Sequence, residues 1–343
     1  MPRLTQSIIN LTRLTSLSTR VLATSPFAAT AFVQRPPSYT VPAFSIPAGI
    51  AGYFGGGFTT VSLSGIEKIT FAGDTRTTLS APLSVAKFAA AGMANSAVAG
   101  YFGGGGDGIG GLYSGIDKIT FPADTLTVLI ATLTSARSDN AGMANSGVAG
   151  YFGGGFDGAA ALNGIDKITF PADTKTTLSA TLTQLNYTLG SMANSGVAGY
   201  FGGGLDASVY SAIDKITFPA DTRTTLSATL TAATFNISAM ANSGVAGYFG
   251  GGTSSAVKVS RIDKITFPAD TKTTLSATLS TARHNTAAMA QSAVAGYFGG
   301  GFDTALISAI DKITFPADTK TTLTATLSSA RQQFSGMADS GTL

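Results

Sequence analysis

The amino-acid sequence predicts an all-β protein, a six-bladed β-propeller of four-stranded antiparallel blades preceded by an extended N-terminal arm. Three observations lead to this fold class. A unit of 48 to 50 residues occurs six times, each copy contains four short strand-like segments, and no window has the periodicity of an amphipathic helix. A repeat of about 40–50 residues with four strands is the signature of a propeller blade.

Two strings mark the repeats. The string GYFGGG returns with tyrosine-to-tyrosine spacings of 48, 50, 49, 48 and 49 residues, and the string I-[DE]-K-I-T-F follows it each time. An Asp-Thr pair comes three residues after the phenylalanine of the second string, and we expect this Asp to cap the next turn through its own backbone. The six tyrosines are Tyr53, Tyr101, Tyr151, Tyr200, Tyr248 and Tyr297, and the six aspartates are Asp74, Asp124, Asp173, Asp221, Asp270 and Asp318.

Each unit divides into four strands, called a, b, c and d here. In the commonest version they read G-M-A-N-S, V-A-G-Y-F-G, I-D-K-I-T-F and T-T-L-S-A-T-L. All four are rich in Thr, Ile, aromatic or small residues and are bounded by turn-forming residues. Strand a has small side chains, so we expect it to lie innermost at a narrow axis. Strands c and d alternate imperfectly, which predicts that both of their faces are covered.

The two ends of the repeat region complement each other. The first unit has strands b, c and d but no strand a, whereas the chain ends with a strand a, Phe334–Ser340, that has no strand b after it. We therefore expect Met337 to lie beside Tyr53 and Phe54, so that the C-terminal strand completes the first blade. Closure removes the exposed sheet edges that an open ring would leave.

Variation among the six units is confined to two junctions. The b–c loops have eight to ten residues and the d–a loops nine, and both vary, whereas the a–b and c–d turns are nearly constant. In an up-and-down sheet the two variable loops lie on one face, and loops on a rigid scaffold often carry binding residues. Unselected drift is the alternative. The candidate binding residues are Asp107, Tyr113, Asp157, Tyr187, Asp206, Tyr210, Phe235, Arg261, His284 and Asp303.

The residue inventory argues against an enzyme. The chain has no cysteine and one histidine, which removes thiolate chemistry and multi-histidine metal sites. Nearly every aspartate belongs to a sixfold set, whereas a catalytic pair needs unique residues in one pocket. One Asp in each b–c loop does not supply the several converging oxygens that calcium requires. We expect no catalytic residues, no metal and no cofactor.

The first 48 residues form a separate part of the chain, and residues 49–343 form the propeller. The N-terminal segment has no glycine, no acidic residue, four arginines and six of the 12 prolines, so it carries a net charge of +4. The basic charge therefore does not belong to the repeats, and we expect no nucleic-acid binding. We predict an extended arm that anchors the protein in an assembly, with a targeting peptide or a disordered tail as alternatives. Its arginines are Arg3, Arg13, Arg20 and Arg35.

The repeats resemble kelch repeats. The resemblance rests on the glycines after an aromatic strand, on the hydrophobic-Asp strand that follows, and on a basic residue before the next unit. It covers residues 49–343 and implies a propeller, but it implies no function because kelch propellers host unrelated activities. The near-identical units also resemble repeat proteins associated with phage tails. The basic position holds Lys87, Arg137, Arg283 and Arg331, with Asn186 and Thr234 in the remaining two units.

These features together favour a non-enzymatic structural or binding protein. The first expectation is a phage virion component (a tail fibre, baseplate or decoration subunit) located on the virion. Its arm would contact other virion proteins, and its variable face would bind a host-surface glycan or protein. No run of about 18 apolar residues occurs, so no membrane span is expected. The alternatives are a secreted or cell-surface lectin-like propeller and an intracellular kelch-type adaptor.

Overall fold

A computed structural model of the protein describes residues 51–339. The predicted arm, with Arg3, Arg13, Arg20 and Arg35, lies outside the described residues. Within the described part, every regular element is a β-strand, and six antiparallel four-stranded sheets form a ring. The six-bladed β-propeller is thereby confirmed.

Each blade has the strand order a–b–c–d, and the a strands are buried along their whole length except at the half-buried Gln291, as their small side chains predicted. Blades are numbered in chain order of their b strands, so that blade 1 contains Ala51–Gly55. The inner a strands of blades 2 to 6, and then of blade 1, are Ala91–Asn95, Ala141–Asn145, Gly190–Asn194, Ser238–Asn242, Ala287–Gln291 and Ser335–Ala338. The b strands are Ala51–Gly55, Ala99–Gly103, Ala149–Gly153, Ala198–Gly202, Ala246–Gly250 and Ala295–Gly299. The c strands are Ile66–Thr70, Ile116–Thr120, Ile165–Thr169, Ile213–Thr217, Ile262–Thr266 and Ile310–Thr314. The d strands are Thr75–Thr78, Thr125–Val128, Thr174–Thr177, Thr222–Thr225, Thr271–Thr274 and Thr319–Thr322. Two further strands of two residues each, Thr253–Ser254 and Val257–Lys258, pair with one another in the b–c loop of blade 5.

The outer strand departs from the sequence expectation. Strand d has four residues and is mostly exposed, so the prediction of a seven-residue strand covered on both faces is wrong for it. Only its first Thr-x-Thr-Thr residues pair with strand c, and the Leu-Ser-Ala-Thr-Leu that follows leaves the sheet. The outermost strand has no neighbour on its outer side, which explains its exposure.

The first blade is closed by the C-terminal strand, as predicted. Ser335–Ala338 pairs antiparallel with Ala51–Gly55, which sets Met337 opposite Tyr53 and Gly336 opposite Phe54. The closure therefore joins the two ends of the ring within one sheet.

Two glycine positions permit the close approach of neighbouring blades. A Cβ atom on Gly100 would lie 2.1 Å from the sulfur of Met337 in the preceding blade, and one on Gly103 would lie 2.7 Å from the ring of Phe152 in the next. Both distances are too short for any side chain. The GYFGGG string is therefore constant because the blade interfaces exclude a Cβ at these positions.

A three-residue contact joins each blade to the next. The carboxylate of Asp221 accepts hydrogen bonds from the Tyr151 hydroxyl at 2.8 Å and from the Lys167 ammonium at 2.6 Å, both in the preceding blade. The Tyr151 ring also stacks on Phe218, with centroids 5.1 Å apart. Burial, and secondarily the hydrogen bond to Asp221, raise the pKa of the Tyr151 phenol, so it stays protonated. The backbone amide of this Asp closes its own turn, since Asp221 donates to the Thr217 carbonyl at 2.8 Å, while its carboxylate joins the preceding blade.

The contact recurs at all six blade interfaces, and we call it the interblade clip. The Tyr, Lys and Asp of the clips are Tyr53–Lys68–Asp124, Tyr101–Lys118–Asp173, Tyr151–Lys167–Asp221, Tyr200–Lys215–Asp270, Tyr248–Lys264–Asp318 and Tyr297–Lys312–Asp74.

A second set of charges holds the d–a linkers. The Arg137 guanidinium lies 2.9 Å from Asp166, the acidic residue of strand c in the blade that follows the linker, and both side chains are buried. Equivalent pairs join Lys87 to Asp117, Arg283 to Asp311 and Arg331 to Glu67. The residue at this position, basic in four of the six linkers, is called the linker anchor here.

Removing the closing strand should destabilise the whole ring. We expect deletion of residues 334–343 to lower the free energy of unfolding by at least about 4 kcal/mol, because it opens blade 1 and exposes its core. Thermal and urea unfolding followed by circular dichroism measures this. A variant lacking only Ile109 and Gly110, in the longest b–c loop, is the control and should unfold like the parent. Equal stability of parent and truncated chain would contradict closure.

Candidate functional site

The two variable loops of each blade are joined to one another. In blade 3 the backbone of Ser138, in the d–a loop, exchanges two hydrogen bonds of 3.0 and 2.9 Å with Phe156, in the b–c loop. The variable face therefore consists of six loop pairs, each held at its base. The equivalent bridges are Phe88–Gly106, Tyr187–Leu205, Phe235–Thr253, His284–Phe302 and Gln332–Phe58.

The acidic residues of the b–c loops organise their own loops. The Asp107 carboxylate accepts hydrogen bonds from the amides of Ile109 and Gly111, and these backbone donors lower its pKa. Asp157 accepts from the amides of Ala159 and Ala160 in the same way. Asp206 and Asp303 occupy the corresponding place in their own loops, where their amides donate to Ser208 and Ala305. The structure does not bring these four carboxylates together.

Tyr113 and Tyr210 occupy the same position in different blades. Each is half-buried, and its amide donates to a glycine carbonyl at the base of the loop, at 2.8 Å for Tyr113 and 2.9 Å for Tyr210. Burial raises the pKa of the Tyr210 phenol, and the charge of Asp206 raises it further. Both tyrosines are therefore fixed at the base of the loop by their backbone, and part of each residue is exposed. The residues at this position in the other blades are Leu63, Leu162, Val259 and Ile307.

Tyr187, Phe235 and His284 also share one position, directly after the linker anchor. The Tyr187 ring contacts Phe156 of the neighbouring blade at a centroid distance of 5.5 Å. A similar contact joins Phe58 and Phe88, whose centroids lie 5.6 Å apart. These phenylalanines were not among the sequence candidates, although Phe58 and Phe156 directly follow the glycine triplets that mark the start of each b–c loop.

Arg261 lies at the end of a b–c loop and turns inward. Its guanidinium donates a hydrogen bond to the Thr234 hydroxyl, and its Nε lies 3.8 Å from the Asp263 carboxylate. Thr234 stands where other blades have the basic linker anchor. Arg261 therefore supplies from the b–c loop the cation that the linker of blade 5 lacks.

The loops of blades 5 and 6 form a polar and aromatic cluster around His284. The His284 Nδ1 lies 3.0 Å from the Thr253 hydroxyl and 3.3 Å from the Asn236 amide nitrogen. Its ring contacts Phe302, which Lys258 approaches at 5.0 Å from the ring centroid. Burial lowers the pKa of His284, and Lys258 adds to the effect. This cluster is therefore an uncharged imidazole beside a cation.

A depression of about 130 Å³ lies on the axis at the same face, where the d–a linkers enter the inner strands. Its rim is formed by one residue of each linker in a left-handed backbone conformation, with φ between 51° and 58°. Five backbone hydrogen bonds of 2.6 to 3.1 Å connect these residues around the axis. Most of the rim side chains are polar, so the centre of the variable face offers hydrogen-bonding groups. The rim residues are Ala89, Asp139, Thr188, Asn236, Asn285 and Gln333.

Two rim side chains are hydrogen-bonded to linker residues next to the rim. The Ser138 hydroxyl donates to Asp139 at 2.8 Å, and the Asn285 amide donates to the Gln332 side chain at 3.2 Å. Burial raises the pKa of Asp139. The axial depression therefore presents amides and hydroxyls, with a single carboxyl group among its rim residues.

Within residues 51–339, no group of three or more His, Asp or Glu side chains is arranged to hold a metal ion. The same part of the chain contains no helix long and apolar enough to cross a membrane. Comparison with models of known protein families gave no match, and comparison with curated proteins gave none.

Proposed function

We propose that this protein is a non-enzymatic binding protein and that the face formed by the b–c and d–a loops contacts its partner. A β-propeller fold is compatible with such a role. One observation carries the proposal: across six copies of the same unit, sequence variation collects in loops of one face, whereas the interblade clips repeat without change. A rigid ring with variable loops is the arrangement that binding scaffolds use.

The chemistry of the face favours a polar surface as its partner. Tyr113, Tyr187 and Tyr210 are half-buried, so each ring is held in place while part of it meets solvent. Rings of this kind, next to hydroxyls and amides, suit the recognition of glycans or of polar protein surfaces. Because four b–c aspartates are spread over separate loops, they make the face polar without creating one strongly charged site.

We further propose that the protein is a virion component, carried by the arm of residues 1–48 and displaying the propeller outward. The support comes from the sequence: the repeats resemble those of phage tail proteins, and the basic, proline-rich arm has the composition of an anchoring segment. A secreted or cell-surface lectin-like propeller is the second candidate, favoured by the half-exposed tyrosines beside polar groups.

Replacing the three tyrosines with residues that the chain uses at the same positions tests the binding face. We expect Tyr113→Leu, Tyr187→Ser and Tyr210→Leu together to weaken binding at least about tenfold, because they remove the polar aromatic tips and keep the loop anchors. The measurement is binding to a bacterial glycan array and to intact bacterial cells.

The control variant changes three exposed valines in the a–b turns of the opposite face. It carries Val148→Ser, Val197→Ser and Val245→Ser, and it should bind like the parent. Equal losses in both variants, or no binding by the parent chain, would argue against the proposed face.

Neutralising the arm tests the virion proposal separately. We expect Arg3→Ala, Arg13→Ala, Arg20→Ala and Arg35→Ala together to reduce incorporation into virus particles about tenfold or more, because they remove all four positive charges of the arm. The amount of protein that sediments with purified particles measures incorporation, and loop-face binding should remain. Recovery of the parent chain only in the soluble fraction would contradict a virion role and leave the lectin alternative.

A further inference from the structure

The outer strand of blade 2 breaks the sixfold pattern. In the other five blades the second residue of strand d is a lysine or arginine, and the strand reads Thr-Lys/Arg-Thr-Thr. In blade 2 it reads Thr-Leu-Thr-Val, so this edge has no cation. The cations of the other edges are Arg76, Lys175, Arg223, Lys272 and Lys320.

Blade 3 shows what the common pattern does. The hydroxyl of Thr177 donates to the buried Asp166 carboxylate at 2.8 Å, and the Lys175 ammonium lies 3.7 Å from the same carboxylate. Lys175 also donates to the Thr134 hydroxyl at 2.8 Å. A polar network with a charged side chain therefore covers this face of the edge strand, and lysines on edge strands oppose pairing with another chain.

Blade 2 replaces this network with apolar side chains. Leu126 and Val128 stand where blade 3 has Lys175 and Thr177, and they alternate along strand d, so they share one face. Ile130 stands where blade 3 has a serine and lies just beyond the end of the strand. The exposed fraction is 56% for Val128 and 102% for Ile130. Both positions of this strand face, and Ile130 just beyond the strand, have thus changed from polar to apolar.

The apolar residues of this strand leave a buried carboxylate oxygen without a hydrogen-bond partner. Asp117 lies directly opposite Val128 in the sheet and is buried, as Asp166 lies opposite Thr177 in blade 3. The Oδ1 atom of Asp117 has no hydrogen-bond partner among the described residues, because valine cannot donate the bond that threonine donates. Burying an unpaired acceptor is unfavourable, so this apolar edge is not explained by stability.

The backbone of this edge is free to pair. The amide of Leu129 donates inward to the carbonyl of Ile116. In an antiparallel pair the direction alternates, so the amides and carbonyls of Thr125 and Thr127 face strand c, and those of Leu126 and Val128 face outward. The backbone amides and carbonyls that are free to pair thus belong to Leu126 and Val128, the two strand residues with apolar side chains.

We propose that strand d of blade 2 pairs antiparallel with the same strand of a second copy of this chain, about a two-fold axis at Thr127. This register sets Leu126 opposite Val128 of the second copy, and each such pair exchanges two backbone hydrogen bonds. Both Leu126–Val128 pairs on that face are then apolar, and such pairs stabilise sheets. The interface is isologous, as two-fold dimers require.

Charge compatibility selects this edge over the other five. The same two-fold pairing at blade 3 would bring Lys175 diagonally close to Lys175 of the second copy, and like charges at that range oppose association. At blade 2 the position holds Leu126, so no repulsion arises. The contact is small, and we expect a dissociation constant in the micromolar range.

Restoring the repeat pattern tests the proposal. The variant Leu126→Lys, Val128→Thr and Ile130→Ser gives blade 2 the residues of blade 3, which fold on the same backbone, and it returns a donor to Asp117. Sedimentation velocity of the full chain, from about 1 to about 300 μM, measures association. We expect the parent to pass from monomer to dimer and the variant to remain a monomer with unchanged circular dichroism. The control Val148→Ser, Val197→Ser and Val245→Ser should dimerise like the parent.

A cysteine placed on the two-fold axis tests the register. The chain has no cysteine, so Thr127→Cys introduces one thiol per molecule. Residue 127 faces its own copy as a non-hydrogen-bonded pair with Cα atoms about 4.5 Å apart, within the range of a disulfide. An added oxidant takes two hydrogen atoms from two thiols and so joins two copies by a disulfide. We expect this covalent dimer to form at least tenfold faster with Thr127→Cys than with Thr176→Cys, which is the same position on blade 3.

Three outcomes would overturn the proposal. A parent chain that stays monomeric over the whole range shows that the edge does not pair. A dimer that survives in the triple variant places the contact elsewhere. Equal disulfide formation by Thr127→Cys and Thr176→Cys shows random collision instead of a defined register. None of these outcomes depends on the binding face.

Discussion

The interblade clip is the interaction on which the rest of the structure depends. A single carboxylate such as Asp221 accepts a tyrosine hydroxyl and a lysine ammonium from the preceding blade, and the same tyrosine stacks on a phenylalanine beside the aspartate. Because the contact is repeated six times around a closed ring, each blade is held on both sides. The glycines of strand b and the small inner side chains follow from it, since the clip can form only when blades approach closely.

The clip residues and the variable loops lie in different segments of each blade, and this separation explains where the sequence varies. The clips use the middle residues of strands b and c and the c–d turns, so those segments repeat almost unchanged. The b–c and d–a loops take no part in the clips, and each pair of loops is joined by its own bridge, such as Ser138 with Phe156. They can therefore change without opening the ring. Blade 5 shows how far this tolerance extends, because Arg261 in a loop replaces the cation that Thr234 cannot supply.

Repeat length, strand count and the complementary chain ends predicted the ring, its closure and the location of the variable loops from sequence alone. The role of the Asp-Thr aspartates could not be found in this way, because Tyr151 and Asp221 are 70 residues apart and a local turn explains the same pattern. The exposure of strand d was missed because its threonines suit any strand. Among the candidate residues, Arg261 and Asp107 make contacts within the fold that the sequence could not show. The departure of Leu126, Val128 and Ile130 from the repeat pattern, in contrast, is visible in the sequence.

A double-mutant cycle tests the clip most directly. Tyr151→Phe and Asp221→Asn are made singly and together, and urea unfolding gives the coupling between them. Because the two side chains share one partly buried hydrogen bond, we expect a coupling free energy of about 1–2 kcal/mol. Tyr151→Phe combined with Asp270→Asn, whose carboxylate belongs to the clip of Tyr200, should be additive within about 0.5 kcal/mol. A coupling for the first pair no larger than for the second would contradict the claim that the clips hold the ring together.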